Sequence, residues 1–79
     1  MTTTNTFQTR DLGLAACLIT LSHELEQVDR ANKQRVIFHF KQDNNLEQDI
    51  NLFWNRSLSV EPINFYDNIK FLKNRIHAE

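Results

Sequence analysis

Glycine, proline and cysteine are nearly absent, since the 79-residue chain has one of each. Because Gly13 is the only glycine, the glycine-rich loops of P-loop and dinucleotide-binding proteins are excluded. Because Cys17 is the only cysteine, no disulfide can form within the chain. A reducing, cytoplasmic setting is therefore expected.

An excess of charge of one sign and long hydrophobic runs are also missing. Nine basic and ten acidic residues give a net charge of −1, so binding to nucleic acid would need a local basic patch. The longest apolar stretch, residues 12–21, is too short to span a bilayer, and the N-terminal residues do not follow the pattern of a secretory signal. We expect no membrane partner.

The length and composition fit one small globular domain. Hydrophobic residues make up 41% of the chain and charged residues 24%, which is ordinary for a folded protein. We predict a single domain over residues 1–79, with residues 1–6 as a disordered N-terminal end.

The first helix is predicted from residue 9 onward. Thr9 or Asp11 is expected to cap it, because their side-chain oxygens can accept from free backbone N–H groups. Gly13 is expected to permit close packing near its start. The residues of its apolar face recur at helical spacing: Leu14, Cys17, Leu18 and Leu21.

A β-hairpin is predicted after this helix. Val36, Phe38 and Phe40 alternate with Ile37, His39 and Lys41, which is typical of a half-buried strand. A weaker strand is predicted over 25–30, joined to it by a turn at 31–33 in which Asn32 would tolerate a left-handed backbone. Residues 6–8 are predicted to add a short strand with Phe7 pointing inward.

Two more helices follow. The second is capped by Asn44 or Asn45, and its core face consists of Leu46, Ile50 and Phe53, with Trp54 on the flank. Pro62 suits the first position of the last helix, whose core face consists of Phe65, Ile69, Leu72 and Ile76. Between these helices, Leu58 and Val60 form either a short third strand or an extended connector.

These elements predict an α+β domain, in which a small antiparallel sheet packs against three helices in the order (β)αββα(β)α. No βαβ crossover is expected, because the strong strand signals belong to a hairpin.

No catalytic, metal or cofactor site is predicted. The three histidines, His23, His39 and His77, have no second ligand at metal-binding spacing. Cys17 falls on an apolar helix face, where a thiol keeps a normal or raised pKa and stays inert. The carboxylates are scattered, and no pair of them indicates an acid and a base held together. We therefore expect a protein that is not an enzyme.

One apolar residue of the last helix does not fit its core face. Phe71 lies on a different side of the last helix from Phe65 and Leu72. Leu52 likewise lies off the core face of the second helix. Either neighbouring helices cover these residues, or they are single exposed apolar residues of a common kind. The alternative is that Phe71, Leu52 and Trp54 form an interface for another protein or a second copy of the chain.

A cationic row is the alternative binding surface. Tyr66, Lys70, Lys73 and His77 recur along one side of the last helix, with Arg75 and Arg56 expected nearby. Such a row could contact phosphates and stack on a base, together with Arg30, Lys33 and Arg35 of the hairpin. It could equally be a solvated helix end whose cations complement the helix dipole.

The order of these motifs resembles a known family of small bacterial and phage proteins. TRDLGLAACLI, VIFHF and INLFWNRSLSVEPINFYDNIKFLKNRI are similar to domain of unknown function family 5659, over about residues 7–76. Members tend to carry glycine after the first helix, where this chain has Leu21-Ser22-His23. The resemblance implies a small stand-alone domain, often in mobile-element settings, and brings no reaction, cofactor or catalytic residue.

The sequence therefore favours a small non-enzymatic accessory module that acts through protein contacts, with a homodimer as one expected form. The alternative is a nucleic-acid-binding accessory protein that uses the cationic row.

Overall fold

Six elements form the fold of residues 6–32 and 34–77, which the computed structural model describes. In chain order they are β1 (Thr6–Thr9), α1 (Leu12–Thr20), β2 (Leu25–Asp29), β3 (Ile37–Lys41), α2 (Asn44–Trp54) and α3 (Pro62–His77). The predicted α+β class is confirmed. Of the predicted disordered end, residues 1–5 lie outside the described residues and Thr6 begins β1.

The three strands form one sheet in the order β1-β3-β2. Both outer strands run antiparallel to β3, so β1 and β2 run parallel to each other. Helix α1 joins these two parallel strands, which makes β1-α1-β2 a split βαβ unit with β3 in the gap. The expectation of no βαβ crossover is wrong, because pairing between β1 and the distant β3 leaves no local signal.

The helices pack on one face of this sheet. Phe38 and Phe40 are buried there, and their register partners on β1, Thr9 and Phe7, share that face. Leu25 and Val28 both lie opposite these phenylalanines because a bulge between Leu25 and Gln27 shifts the register of β2. The bulge interrupts the alternation of inward and outward side chains along β2. This explains why the sequence pattern of β2 indicated a strand less clearly.

Helix α1 is buried on almost every side. Residues 14–18 are all buried, including Ala15 and Ala16, which lie off the predicted face. A helix that is apolar all round is typical of a core position, and α1 packs against both α2 and α3. Asp11 caps it, as predicted, by accepting from Leu14 N–H at 3.0 Å.

Gly13 lies in the first turn of α1, but the expectation of close packing there is wrong. An added Cβ would meet only the Oδ1 atom of Asp11, at 3.4 Å.

Acidic side chains cap the N-terminal ends of the other two helices. The N-cap of α2 is Asp43, one residue before the predicted Asn44 or Asn45, and it accepts from Leu46 N–H at 2.8 Å. Pro62 is the first residue of α3, as predicted, and the carboxylate of Glu61 accepts from the N–H groups of Ile63 and Asn64. The predicted core faces pack on the central cluster through Leu46, Ile50 and Phe53 and through Phe65, Ile69, Leu72 and Ile76.

Residues 57–60 form the predicted connector without a strand, so Leu58 and Val60 do not extend the sheet. None of the helices in the described part of the chain is long and apolar enough to cross a membrane.

Helices α1 and α2 are each followed by a turn with a left-handed residue that is not glycine. Ser22 has φ 72° and Arg56 has φ 62°. After α1, the N–H of Ser22 donates to Ile19 O at 2.9 Å, and the N–H of His23 donates to Leu18 O at 2.9 Å. This pattern is a Schellman motif, whose left-handed position is usually glycine.

The α2 end repeats this pattern through Arg56 and Ser57. Scarcity of glycine has thus left serine and arginine in strained positions. The connection between β2 and β3 is held by a side chain instead, since Oδ1 of Asn32 accepts from Gln34 N–H at 2.9 Å.

Candidate functional site

Four large apolar or aromatic side chains are exposed on α2 and α3. The exposed fractions are 61% for Trp54, 67% for Ile63, 60% for Tyr66 and 43% for Phe71. Three of them were singled out from the sequence as candidate contacts, whereas Ile63 was missed. Its position opposite Phe65 and Ile69 on the helix is the signal that could have found it.

The exposure of Phe71 follows from how α3 is oriented on α1. Leu72 is fully buried, and Nδ2 of Asn68 donates to Oγ1 of Thr20 on α1 at 2.9 Å. This hydrogen bond and the buried leucine fix the rotation of α3 about its own axis. Phe71 is therefore turned away from the core.

The other two predicted interface residues lie on α2. Trp54 is its last residue, and its ring meets that of Phe53 edge to face at a centroid distance of 4.9 Å. Leu52 is half-buried, so it offers less surface than Trp54. The predicted interface thus spans two helices, each of which packs on α1.

The four residues of the predicted cationic row are all exposed on α3. Nζ of Lys70 lies 4.8 Å from the ring centroid of Tyr66 and 3.9 Å from Oδ1 of Asp67. The acidic neighbour reduces the local positive charge, and Tyr66 already has a cation over its ring. The row is thus less basic than its sequence indicates.

The remaining predicted basic contacts are dispersed. Arg75 is exposed on α3, and Arg56 is the left-handed residue of the turn that follows α2. Arg30 and Arg35 are exposed in the connection between β2 and β3, whereas Lys33 lies outside the described residues.

A histidine–aspartate pair that was not predicted from the sequence joins the end of α1 to α2. Nε2 of His23 lies 2.6 Å from Oδ2 of Asp49, and the two side chains are only 9% and 24% exposed. The left-handed Ser22 turns the chain so that His23 faces α2. Since 26 residues separate the partners, sequence spacing gave no signal.

An open cleft of about 350 Å³ adjoins this pair, with a lining formed by Leu21, Ser22, His23, Asp43, Asn45, Gln48 and Asp49. The carboxylate fixes the orientation of the imidazole and ties the end of α1 to α2. Across residues 6–32 and 34–77, no group of three histidine, cysteine or acidic side chains could hold a metal ion.

Two further groups that could carry chemistry are buried. Nε2 of His39 is buried without a hydrogen-bond partner among the described residues, between its cross-strand neighbours Gln8 and Gln27 on the outer face of the sheet. Cys17 is buried as predicted, and burial together with the nearby Asp11 carboxylate raises its thiol pKa. A raised pKa lowers the thiolate fraction and the reactivity of this residue.

These features define a small α+β domain whose exposed apolar residues lie on its last two helices. The chain belongs to the family described as Domain of unknown function (DUF5659), whose model matches residues 4–78. The resemblance drawn from its motifs is thereby confirmed. No curated protein and no solved structure matches the chain significantly.

Proposed function

We propose that this protein is a small, non-enzymatic binding module that acts through protein contacts made by α2 and α3. The observation that carries this proposal is the exposure of Trp54, Ile63, Tyr66 and Phe71 on these helices. Aromatic side chains are enriched at protein interfaces, where they contribute large contact areas. Covering them with a second protein surface would remove this apolar area from water.

Site-specific photocrosslinking in cells that express the chain tests the proposal. A benzoylphenylalanine would replace Phe71 in one variant and Gln27, which is exposed on the outer face of the sheet, in a control variant. We expect a protein adduct from position 71 and none from position 27. Equal adduct yields at both positions, or none at position 71, would contradict the proposal.

A serine substitution separates binding from folding. Phe71→Ser should leave the circular dichroism spectrum and the melting temperature close to those of the parent, because Phe71 lies outside the buried core. It should weaken the contact detected by crosslinking from position 63, another exposed position on α3. Gln27→Ser serves as the matched control and should leave that contact unchanged.

Nucleic-acid binding is the second candidate function, and the common exposure of Tyr66, Lys70, Lys73 and His77 on α3 favours it. Phosphate binding by this row would weaken steeply with salt. Fluorescence anisotropy of labelled DNA and RNA at low and moderate salt tests it, with Lys70→Glu/Lys73→Glu as the variant. Binding that changes neither with salt nor with these substitutions would exclude the row as the nucleic-acid contact.

The biological setting remains part of the proposal. An accessory role in a phage or mobile element, acting inside the cell on a host system, rests on the family resemblance.

A further inference from the structure

The outer face of α3 carries a pattern that is complementary to itself. We define this face as the exposed side chains opposite the core: Ile63, Tyr66, Asp67, Lys70, Phe71 and Asn74. Measured from the midpoint between residues 68 and 69, acidic Asp67 and basic Lys70 are equally distant. Aromatic Tyr66 and aromatic Phe71 are equally distant one step further out.

The midpoint of this pattern points towards the core of its own chain. Asn68 donates to Thr20 on α1, and Ile69 packs against the core. With 3.6 residues per turn, the direction opposite these two residues is the centre of the outer face. A twofold axis perpendicular both to α3 and to that direction, level with the midpoint, would relate α3 to an antiparallel copy facing it, so that equally distant residues lie at the same level.

We propose that a second copy of this chain docks antiparallel across the outer face of α3. Asp67 then lies beside Lys70 of the second copy, and Ile63 faces its Asn74, each contact occurring twice. Tyr66 and Phe71 flank these contacts on opposite sides. This inference rests on the proposed function, because it names the partner for the same exposed helix. It also gives Phe71 a reason to lie outside the core.

The charges select the antiparallel arrangement. In a parallel twofold pair each residue faces its own counterpart, so that Asp67 would lie against Asp67 and Lys70 against Lys70. Like charges in contact disfavour that arrangement, whereas the antiparallel one brings opposite charges together.

Both charges are available for this contact. The distance of 3.9 Å within one chain, with side chains 60% and 59% exposed, makes the existing Asp67–Lys70 pair weak. Replacing this pair by contacts between Asp67 and Lys70 of different copies therefore loses little free energy. Tyr66 and Phe71 of each copy, on the two flanks of the charges, supply the apolar contact area.

Charge-reversal variants test the pairing by sedimentation velocity on the full chain. Asp67→Lys and Lys70→Asp should each weaken self-association about tenfold or more, because each creates two like-charge contacts. An equimolar mixture of the two variants should associate again, since each variant then meets the opposite charge. The double variant Asp67→Lys/Lys70→Asp should likewise associate as the parent does.

Lys41→Asp on the outer face of the sheet is the control for the change in net charge, and it should leave association unaffected. Circular dichroism verifies that every variant is folded. A parent chain that stays monomeric up to about 1 mM would overturn the inference, because only a very weak contact would then remain. So would a mixture that associates no better than its components.

The two proposals fail in different ways. A crosslinked adduct at position 71 that contains another protein, together with a monomeric parent, would leave the binding module intact and remove the second copy as its partner. No adduct of either kind would remove both proposals.

Discussion

The imidazole of His23 and the carboxylate of Asp49 form a short, largely buried contact that joins the end of α1 to α2, with Nε2 and Oδ2 2.6 Å apart. Helix α1 makes fewer contacts with α2 than with α3. The pair therefore contributes to holding α2 in place.

Removal of one partner should destabilise the fold. We expect Asp49→Ala to lower the free energy of unfolding by about 1–3 kcal/mol, because it leaves a mostly buried imidazole without its partner. His23→Ala combined with Asp49→Ala should cost less than the sum of the single changes. Urea denaturation of the four proteins gives this cycle, and additive losses would show that the contact contributes nothing.

The left-handed ends of α1 and α2 give a second prediction. Ser22→Gly should raise the free energy of unfolding by about 0.5–1 kcal/mol, since it relieves the steric cost of φ 72° at the expense of some chain entropy. Arg56→Gly should have a similar effect. Ser22→Ala is the control, because it keeps the Cβ atom, and it should bring no gain in thermal or urea unfolding.

A gain in stability from Ser22→Gly would give a physical reason for the glycine that family members tend to carry after this helix. If the glycine variant is no more stable than the alanine variant, the Schellman turn does not carry the strain that its backbone angle indicates.

The sequence revealed elements whose signal is local. Phe38 and Phe40 alternate with polar neighbours, and Phe65 and Leu72 recur at helical spacing, so β3 and α3 were placed correctly. Phe71 could be recognised as lying off the core face for the same reason. Periodicity identifies which residues of one element share a face, and that is sufficient for these predictions.

The features that escaped prediction depend on distant partners. The place of β1 beside β3 depends on contacts between Phe7 and Phe40, and the histidine–aspartate pair depends on a turn at Ser22. Asp43 outcompeted the adjacent asparagines as the cap of α2, a choice between three similar side chains that propensity does not resolve.

Gly13 offers a direct test of the corrected interpretation of α1. Glycine inside a helix is about 1 kcal/mol less favourable than alanine, and a methyl group here meets only Asp11 Oδ1. We expect Gly13→Ala to raise the free energy of unfolding by about 0.5–1 kcal/mol in urea denaturation. A loss of stability would instead support the original expectation that close packing requires the glycine.

The thiol of Cys17 predicts how stability depends on alkaline pH. Burial, and then the Asp11 carboxylate, raise its pKa in the folded state, so the native protein holds the thiol proton more tightly than the unfolded chain does. This contribution is complete below the unfolded pKa of about 8.5 and is lost as pH rises towards and through the folded pKa. Above the unfolded pKa, the free energy of unfolding of the parent should therefore fall more steeply with pH than that of Cys17→Ala, which lacks the titrating group.

Urea denaturation of both proteins between about pH 7.5 and pH 10 measures the difference, because tyrosine and lysine titrate alike in the two. Parallel pH curves would mean that the thiol ionises equally well in the folded and unfolded chains.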